Sequence, residues 1–257
     1  MKIAIIGAGH LGNLLATVAE KHEHTVMRLG KGDSKSYLDI DLAVITTPPK
    51  NTIFCLEEEI DLNDGVPIIS FVAGISLASY SPHTTAGAVK AMTNIAAGDG
   101  KGFTVWAKDR EIAPRPMSRI YAFMNMLGPS EMVEDSNFHR SDVHTKTADA
   151  YLDDATALIG SGTAYAVGLL ENFVQYGIEE GLTRDMAERW VHQTFLSAIH
   201  LCKQQPASEI IKSIATPNGT TAAGLEWLSS DKVGLSIFNA LSVTGEKCRE
   251  LSGNGNY

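Results

Sequence analysis

The chain has 257 residues, 44% of them hydrophobic and 20% charged, with a formal net charge of -9 at neutral pH. That suits a globular protein with one large domain or two modest ones, and the acidic balance argues against nucleic acid or an anionic membrane as a broad-surface partner. Cys55, Cys202 and Cys248 are scattered, odd in number and form no CxxC pair, as expected of reduced thiols in a cytoplasmic protein.

Lys2-Ile3-Ala4-Ile5-Ile6 is a short apolar run ending at Gly7, which reads as a buried parallel strand. Lys2 followed by apolar residues mimics a signal peptide, but Gly7, Gly9, His10 and Gly12 interrupt the run, so it is read as a strand entering a helix. Leu11, Leu14, Leu15, Val18 and Ala19 recur at helical spacing and predict a helix over His10–Lys21. Strands are predicted at Thr25–Leu29, at Leu42–Thr46 before Pro48-Pro49, and at Pro67–Val72, Ala88–Met92 and Phe103–Ala107. Helices fall between them, including Ser118–Leu127. This alternation predicts a Rossmann-like, doubly wound parallel sheet of class α/β.

From about Ser141 the pattern turns helical: Ala155–Ile178, Arg184–Leu201, Ser208–Ile214 and Val233–Leu251. The expected organisation is therefore an α/β domain over residues 1–140 and an all-helical domain over 141–257. Apolar residues ring much of Ala155–Ile178, so that helix needs cover on most sides, and pairing with a second copy of the chain would supply it. No apolar stretch is long enough to span a bilayer. The last residues, Ser252–Tyr257, are expected to fray.

Gly7-Ala8-Gly9-His10-Leu11-Gly12 matches G-x-G-x-x-G, placed after a strand and opening a helix. Gly7 permits the tight turn, Gly9 lets the backbone approach a pyrophosphate, and Gly12 lets helix and strand pack closely. The helix N-terminus adds free N–H groups and positive dipole, so the segment predicts dinucleotide binding. At the end of the second strand no acid precedes Asp33, whereas Arg28, Lys31 and Lys35 are placed to meet a 2′-phosphate. NADPH is the expected cofactor, with NADH second. As solvated surface cations the same residues would read nothing.

The helical half carries more specific signals. Leu158-Ile159-Gly160-Ser161-Gly162-Thr163-Ala164-Tyr165, Gly177–Arg184 and Thr216-Pro217-Asn218-Gly219-Thr220-Thr221-Ala222-Ala223-Gly224-Leu225 follow one another, after Ala73-Gly74-Ile75-Ser76 and Met92-Thr93-Asn94, with Glu246–Leu251 closing the chain. In this order they resemble the segments of pyrroline-5-carboxylate reductases. The resemblance implies NAD(P)H-dependent reduction of 1-pyrroline-5-carboxylate to L-proline in proline biosynthesis, by a cytoplasmic homodimer or larger homo-oligomer. Its pocket would form between the α/β half of one subunit and the helical half of its partner. A protonated imine is already a good electrophile, so such a site needs positioning more than strong acid–base groups.

By position, the resemblance makes Thr221 the residue that hydrogen-bonds substrate near the ring nitrogen, with Thr216 keeping the hydroxyl of the loop's serine. Asn218, Gly219, Thr220 and Thr163 are placed near the substrate. Gly7, Gly9, His10, Leu11, Gly12, Arg28, Thr47, Pro48, Ala73, Gly74 and Asn94 are placed at the cofactor. A glycine-containing turn running into a helix gathers N–H groups suited to a substrate carboxylate. Without the resemblance, Thr220-Thr221 would read as a plain helix cap and Asn94 as a turn residue bonding its own backbone.

Five departures stand out. Only Gly30–Asp41 separates the second strand from Leu42, barely room for the helix and strand the family fits there, so one strand of the usual sheet is expected to be missing. Thr163 replaces a proline, Asn218 a glycine, and Ile95-Ala96 a Thr-Pro; Thr163 and Ile95-Ala96 motivate a related cyclic imino acid as alternative substrate. A nucleotide-binding paralogue with little catalysis is the other alternative. The polar stretch 135–151 is longer than the family's link. The eight histidines lack metal-ligand spacing, and Asn218-Gly219-Thr220 fits a glycosylation pattern without a secretion signal to support it.

Overall fold

The computed structural model describes residues 1–30, 33, 39–59, 62, 65–134 and 148–253. Lys31, Lys35, His139, His144, most of the polar stretch and the last four residues lie outside that set. Among the described residues, seven strands form one sheet: β1 (Lys2–Ile6), β2 (Thr25–Leu29), β3 (Leu42–Ile45), β4 (Ile68–Ser70), β5 (Ala88–Met92), β6 (Thr104–Lys108) and β7 (Ser130–Met132). Their order is β2-β1-β3-β4-β5-β6-β7. The order reverses at β1, so β1 and β3, paired Ile3 to Leu42 through Ile6 to Ile45, frame a switch point where open α/β sheets bind ligands.

The sheet is parallel except that β6 runs antiparallel to β5, a correction to the all-parallel expectation. Residues 93–103 between them are fewer than the dozen or so that a parallel crossover needs. β7 was not predicted either: Ser130-Glu131-Met132 has no strand signature of its own and becomes a strand by pairing with β6.

Helix α1 (His10–Lys21) fills the connection after β1, and α3 (Pro114–Leu127) the one between β6 and β7, with α2 (Pro49–Phe54) a short piece between them. Residues of the inner strands β1, β3, β4 and β5 are buried on both faces apart from Lys2, which is why those strands read as apolar runs, whereas β2 at the sheet edge is largely exposed. Ile3, Ile5, Leu15, Val18, Val44, Trp106 and Phe123 pack on one side; Ala4, Ile6, Ile45, Ile68, Tyr80, Met92 and Leu152 pack on the other.

The predicted helix over Ala155–Ile178 is three pieces: α4 (Ala148–Ala155), a segment of wider π-type turns over Thr156–Ser161, and α5 (Gly162–Glu179). Then come α6 (Arg184–Cys202), α7 (Ala207–Ile214), α8 (Thr220–Ser230) and α9 (Val233–Gly253). By compactness the chain divides into Met1–Gly162 with Ser242–Tyr257, and Thr163–Leu241. In the second unit the buried hydrophobic residues are Val174, Ala187 and Ile210. Phe173, Tyr176, Trp190, Leu196, Trp227 and Phe238 are exposed. A groove of about 580 Å³ between α6 and α7 is lined by Trp190, Leu201, Ile210 and Ile214. No described helix is long and apolar enough to cross a membrane.

Candidate active site

The turn from β1 into α1 is held by backbone geometry. Gly7 adopts φ +118°, and its N–H donates to the Leu29 carbonyl at 2.9 Å. A Cβ there would lie 2.7 Å from the Thr46 carbonyl carbon, and one on Gly12 would lie 2.0 Å from the Gly7 oxygen. Both glycines are steric requirements of the turn. Thr46 locks its far side, donating through Oγ1 to the Ile6 and Gly7 carbonyls at 3.2 and 3.1 Å.

Gly9 differs: a Cβ on it would meet nothing within 4 Å. It is the N-cap of α1, with no side-chain cap and no acid in the first turn. The leading N–H groups and the dipole are therefore open to an anion, and the residues fit a pyrophosphate. His10 and Leu11 open the helix; Leu11 packs onto the core, so its backbone is what the loop presents, while His10 is exposed.

A cleft of about 390 Å³ continues from this turn along the ends of β1, β2 and β3, lined by Gly7, Ala8, Gly30, Thr47, Pro48 and Phe54 among others. Thr47 is steadied by its hydroxyl contact with Thr52 at 2.9 Å. Arg28 is not among the lining residues. Its guanidinium forms a two-pronged pair with Glu20 of α1, and that hydrogen bonding holds the Glu20 carboxyl below the usual carboxylate range. Asp33 accepts from the Gly30 N–H at 2.6 Å and closes the tip of β2. Asn51, Phe54 and Cys55 line the cleft without a prior signal; only the strand ending at Pro48-Pro49 hinted that α2 begins there.

Ala73, Gly74 and Asn94 stand at the carboxyl ends of β4 and β5. Gly74 has φ +81°, a conformation that favours glycine. Asn94 caps the short helical turn Ile95–Asp99, its Oδ1 accepting from Ala96 N–H at 3.1 Å, so its carbonyl serves its own backbone. Ile95 is 65% exposed. Gly160 is close enough to β5 that a Cβ on it would lie 3.8 Å from the Thr93 oxygen. The ends of β4 and β5 and the Thr156–Gly162 segment belong to one compact unit.

The Thr216–Thr221 loop lies in the other unit. Asn218 takes φ +59°, the left-handed conformation that Asn tolerates better than most residues. Gly219 N–H donates to the Thr216 carbonyl at 3.0 Å, closing the turn. The N-cap of α8 is Gly219, with no side-chain cap. Thr220 and Thr221 are thus the first two helical residues, and the plain-cap reading of the pair fails. Their N–H groups and hydroxyls lie at an uncapped N-terminus suited to a carboxylate. Thr163, near the start of α5, belongs to this unit too. Among the described residues no group of three or more His, Cys, Asp or Glu could hold a metal ion.

Residues 149–251 match the profile of the pyrroline-5-carboxylate reductase dimerisation domain. The chain is 23% identical over 278 residues to a pyrroline-5-carboxylate reductase of Corynebacterium melassecola, covering 97% of this chain and 98% of that one. It is 27% identical over 204 residues to that of Mycobacterium tuberculosis, covering 71% of this chain and 64% of the relative's length. In fold it superposes on the Plasmodium falciparum pyrroline carboxylate reductase solved with NADP bound, at TM-score 0.80, 19% identity and coverage of 98% and 100%. The Streptococcus pyogenes enzyme gives TM-score 0.79 and 22% identity, covering 97% of this chain and 98% of that one. The chain thus resembles pyrroline-5-carboxylate reductases along nearly its whole length, with an α/β Rossmann-like half followed by a helical region that matches the dimerisation domain of that family.

Proposed function

We propose that this protein is a cytoplasmic, homodimeric NAD(P)H-dependent reductase that converts 1-pyrroline-5-carboxylate to L-proline. Residues 1–140 serve as the dinucleotide-binding domain and 141–257 as the dimerisation and substrate domain. The observation that carries the reading is the uncapped start of α8 on Gly219, inside the region that matches the dimerisation domain.

A bound nicotinamide supplies the hydride. The chain's own residues do the rest by holding parts in place. Gly7, Gly9 and Gly12 leave the first N–H groups of α1 open to the pyrophosphate, with Thr47 and Pro48 along the adjoining cleft. Ala73, Gly74 and Asn94 form the nicotinamide end. At the Thr216–Thr221 loop, the N–H groups of Thr220 and Thr221 bind the substrate carboxylate, and the Thr221 hydroxyl hydrogen-bonds near the ring nitrogen. Such grips turn a bimolecular step into an oriented one without a strong acid or base.

The test is imine-dependent loss of reduced-nicotinamide absorbance with NADPH and with NADH. Turnover with pyrroline-5-carboxylate is expected, with Thr221→Ala lowering kcat/KM roughly tenfold to a hundredfold, the worth of a hydrogen bond to a charged partner. No turnover by the folded protein with either nucleotide would refute the reading. A six-membered cyclic imino acid is the second candidate, motivated by the exposed Ile95 at the nicotinamide end; it falls if the five-membered ring reacts fastest in a substrate panel.

A further inference from the structure

Lys90 stands in the middle of β5 and is 1% exposed, among the largest fully buried side chains described. It shares the face of Ala88 and Met92, whose neighbours there include Leu152 and Tyr80. An apolar residue would satisfy this pattern. Instead the Lys90 ammonium meets the Asp153 carboxylate of α4 at 3.0 Å, with side-chain exposures of 1% and 8%. The same Asp153 oxygen, Oδ1, accepts the Gly74 N–H at 3.4 Å. Beside Lys90 in register is Ser70 of β4, whose hydroxyl donates to Tyr80 at 2.7 Å and accepts the Val72 N–H at 3.2 Å. The sheet therefore holds a polar island beneath the residue 70–74 turn.

Stability alone is a weak reason for such an island, because replacing a buried ion pair by apolar residues is often neutral or stabilising. Fixed geometry is what apolar groups cannot supply. One oxygen of Asp153 ties three pieces of backbone: the Ala73-Gly74 turn, the body of β5 three residues before Thr93, and α4 just ahead of the π-type turns Thr156–Ser161. Such widened turns mark functional sites in many helices. Asp154, next in sequence, pairs with Arg249 of α9, holding α4 from its other side.

We propose that Asp153, through Lys90 and the Gly74 N–H, is a positioning residue that sets the register between the Ala73-Gly74 turn, the end of β5 and the Thr156–Gly162 segment; its part in catalysis rests on the functional reading above. The test compares K90M/D153L with K90M/D153N in the full chain. Both remove both charges, but only Asn keeps an oxygen for the Gly74 N–H.

Both variants should melt close to the parent. In K90M/D153L the amides of residues 73–75 and 156–162 should exchange hydrogen roughly tenfold faster, while other protected amides hold. Its kcat should fall roughly tenfold to a hundredfold at nearly unchanged KM, as for a misplaced reacting group. K90M/D153N should keep the protection at 73–75 and most of kcat. Should K90M/D153L not fold, Asp153→Glu, which moves the oxygen by one methylene, takes its place with the same expected pattern. Unchanged exchange at both segments, or a kcat loss that simply follows melting temperature, would overturn the proposal. If the parent enzyme does not reduce pyrroline-5-carboxylate, the functional reading fails, and hydrogen exchange still decides whether Asp153 sets the register.

Discussion

The two compact units use their apolar residues in opposite ways. In the sheet unit, Phe123, Trp106 and Ile5 are sealed inside, and the inner strands bury their apolar residues. In the helical unit, Phe173 is 53% exposed, Trp190 56% and Phe238 65%. A helix with apolar residues around much of its circumference needs partners on several sides, and 79 residues, Thr163–Leu241, provide too few. The sheet unit buries its core within one chain; the helical unit leaves apolar side chains that a second copy would cover, in keeping with the match of residues 149–251 to a dimerisation domain.

Breaking the helical unit's partnership should have the largest effect. A charge at its exposed centre, Phe238→Asp, should turn a dimer into a monomer by light scattering. The monomer is expected to keep nucleotide affinity, measured by calorimetry, and to lose reduction; a fully active monomer would contradict the role given to the helical half. Next is Gly12→Ala in the sheet unit. Its Cβ would sit 2.0 Å from the Gly7 oxygen, so a loss of about 4 kcal/mol in urea unfolding is expected, together with loss of nucleotide binding.

The contrast sharpens with a matched pair. Phe123→Ala removes a fully buried ring and should destabilise by about 3 kcal/mol or more. Phe173→Ala, at dilutions where the protein is monomeric, should change stability by less than about 1 kcal/mol, yet weaken self-association measured by sedimentation. Equal effects at the two sites would refute the division.

The smallest effect concerns pH. The Lys2 backbone N–H, aided by Arg119, holds the Asp41 carboxyl below the usual carboxylate range. Its stabilisation is therefore full above the unfolded value of about 3.9 and is lost as pH falls through the lower folded value. Asp41→Asn should lower thermal stability slightly near neutrality and flatten the acid limb of the profile, so that variant and parent converge as pH falls through the folded value of Asp41.

Local rules made much of the molecule legible. The span of α1, His10–Lys21, was readable to the residue because its apolar period, its glycine entry and its polar exit agree. The Gly7–Gly12 turn was readable because at Gly7 and Gly12 only glycine tolerates the contacts. Lys90 and Asp153 passed unremarked, although a lone lysine within Ala-Val-Lys-Ala-Met was a signal: a charge in a buried strand demands a partner, and the partner lay 63 residues away. Nor did the row of cations Arg28, Lys31 and Lys35 show that Arg28 would turn to Glu20, since that pairing depends on how α1 lies against β2.

The sequence by itself determined where most of the strands and helices arise, that the chain begins with an anion-ready turn, and that its C-terminal half is rich in apolar helical faces. Those properties are set by neighbours a few residues apart, through period, sterics and backbone freedom. Tertiary structure alone decided the antiparallel turn of β6, the strand made of Ser130–Met132 and the buried Lys90–Asp153 pair. Each depends on groups brought together by the fold, where an edge needs a partner or a buried charge needs its opposite.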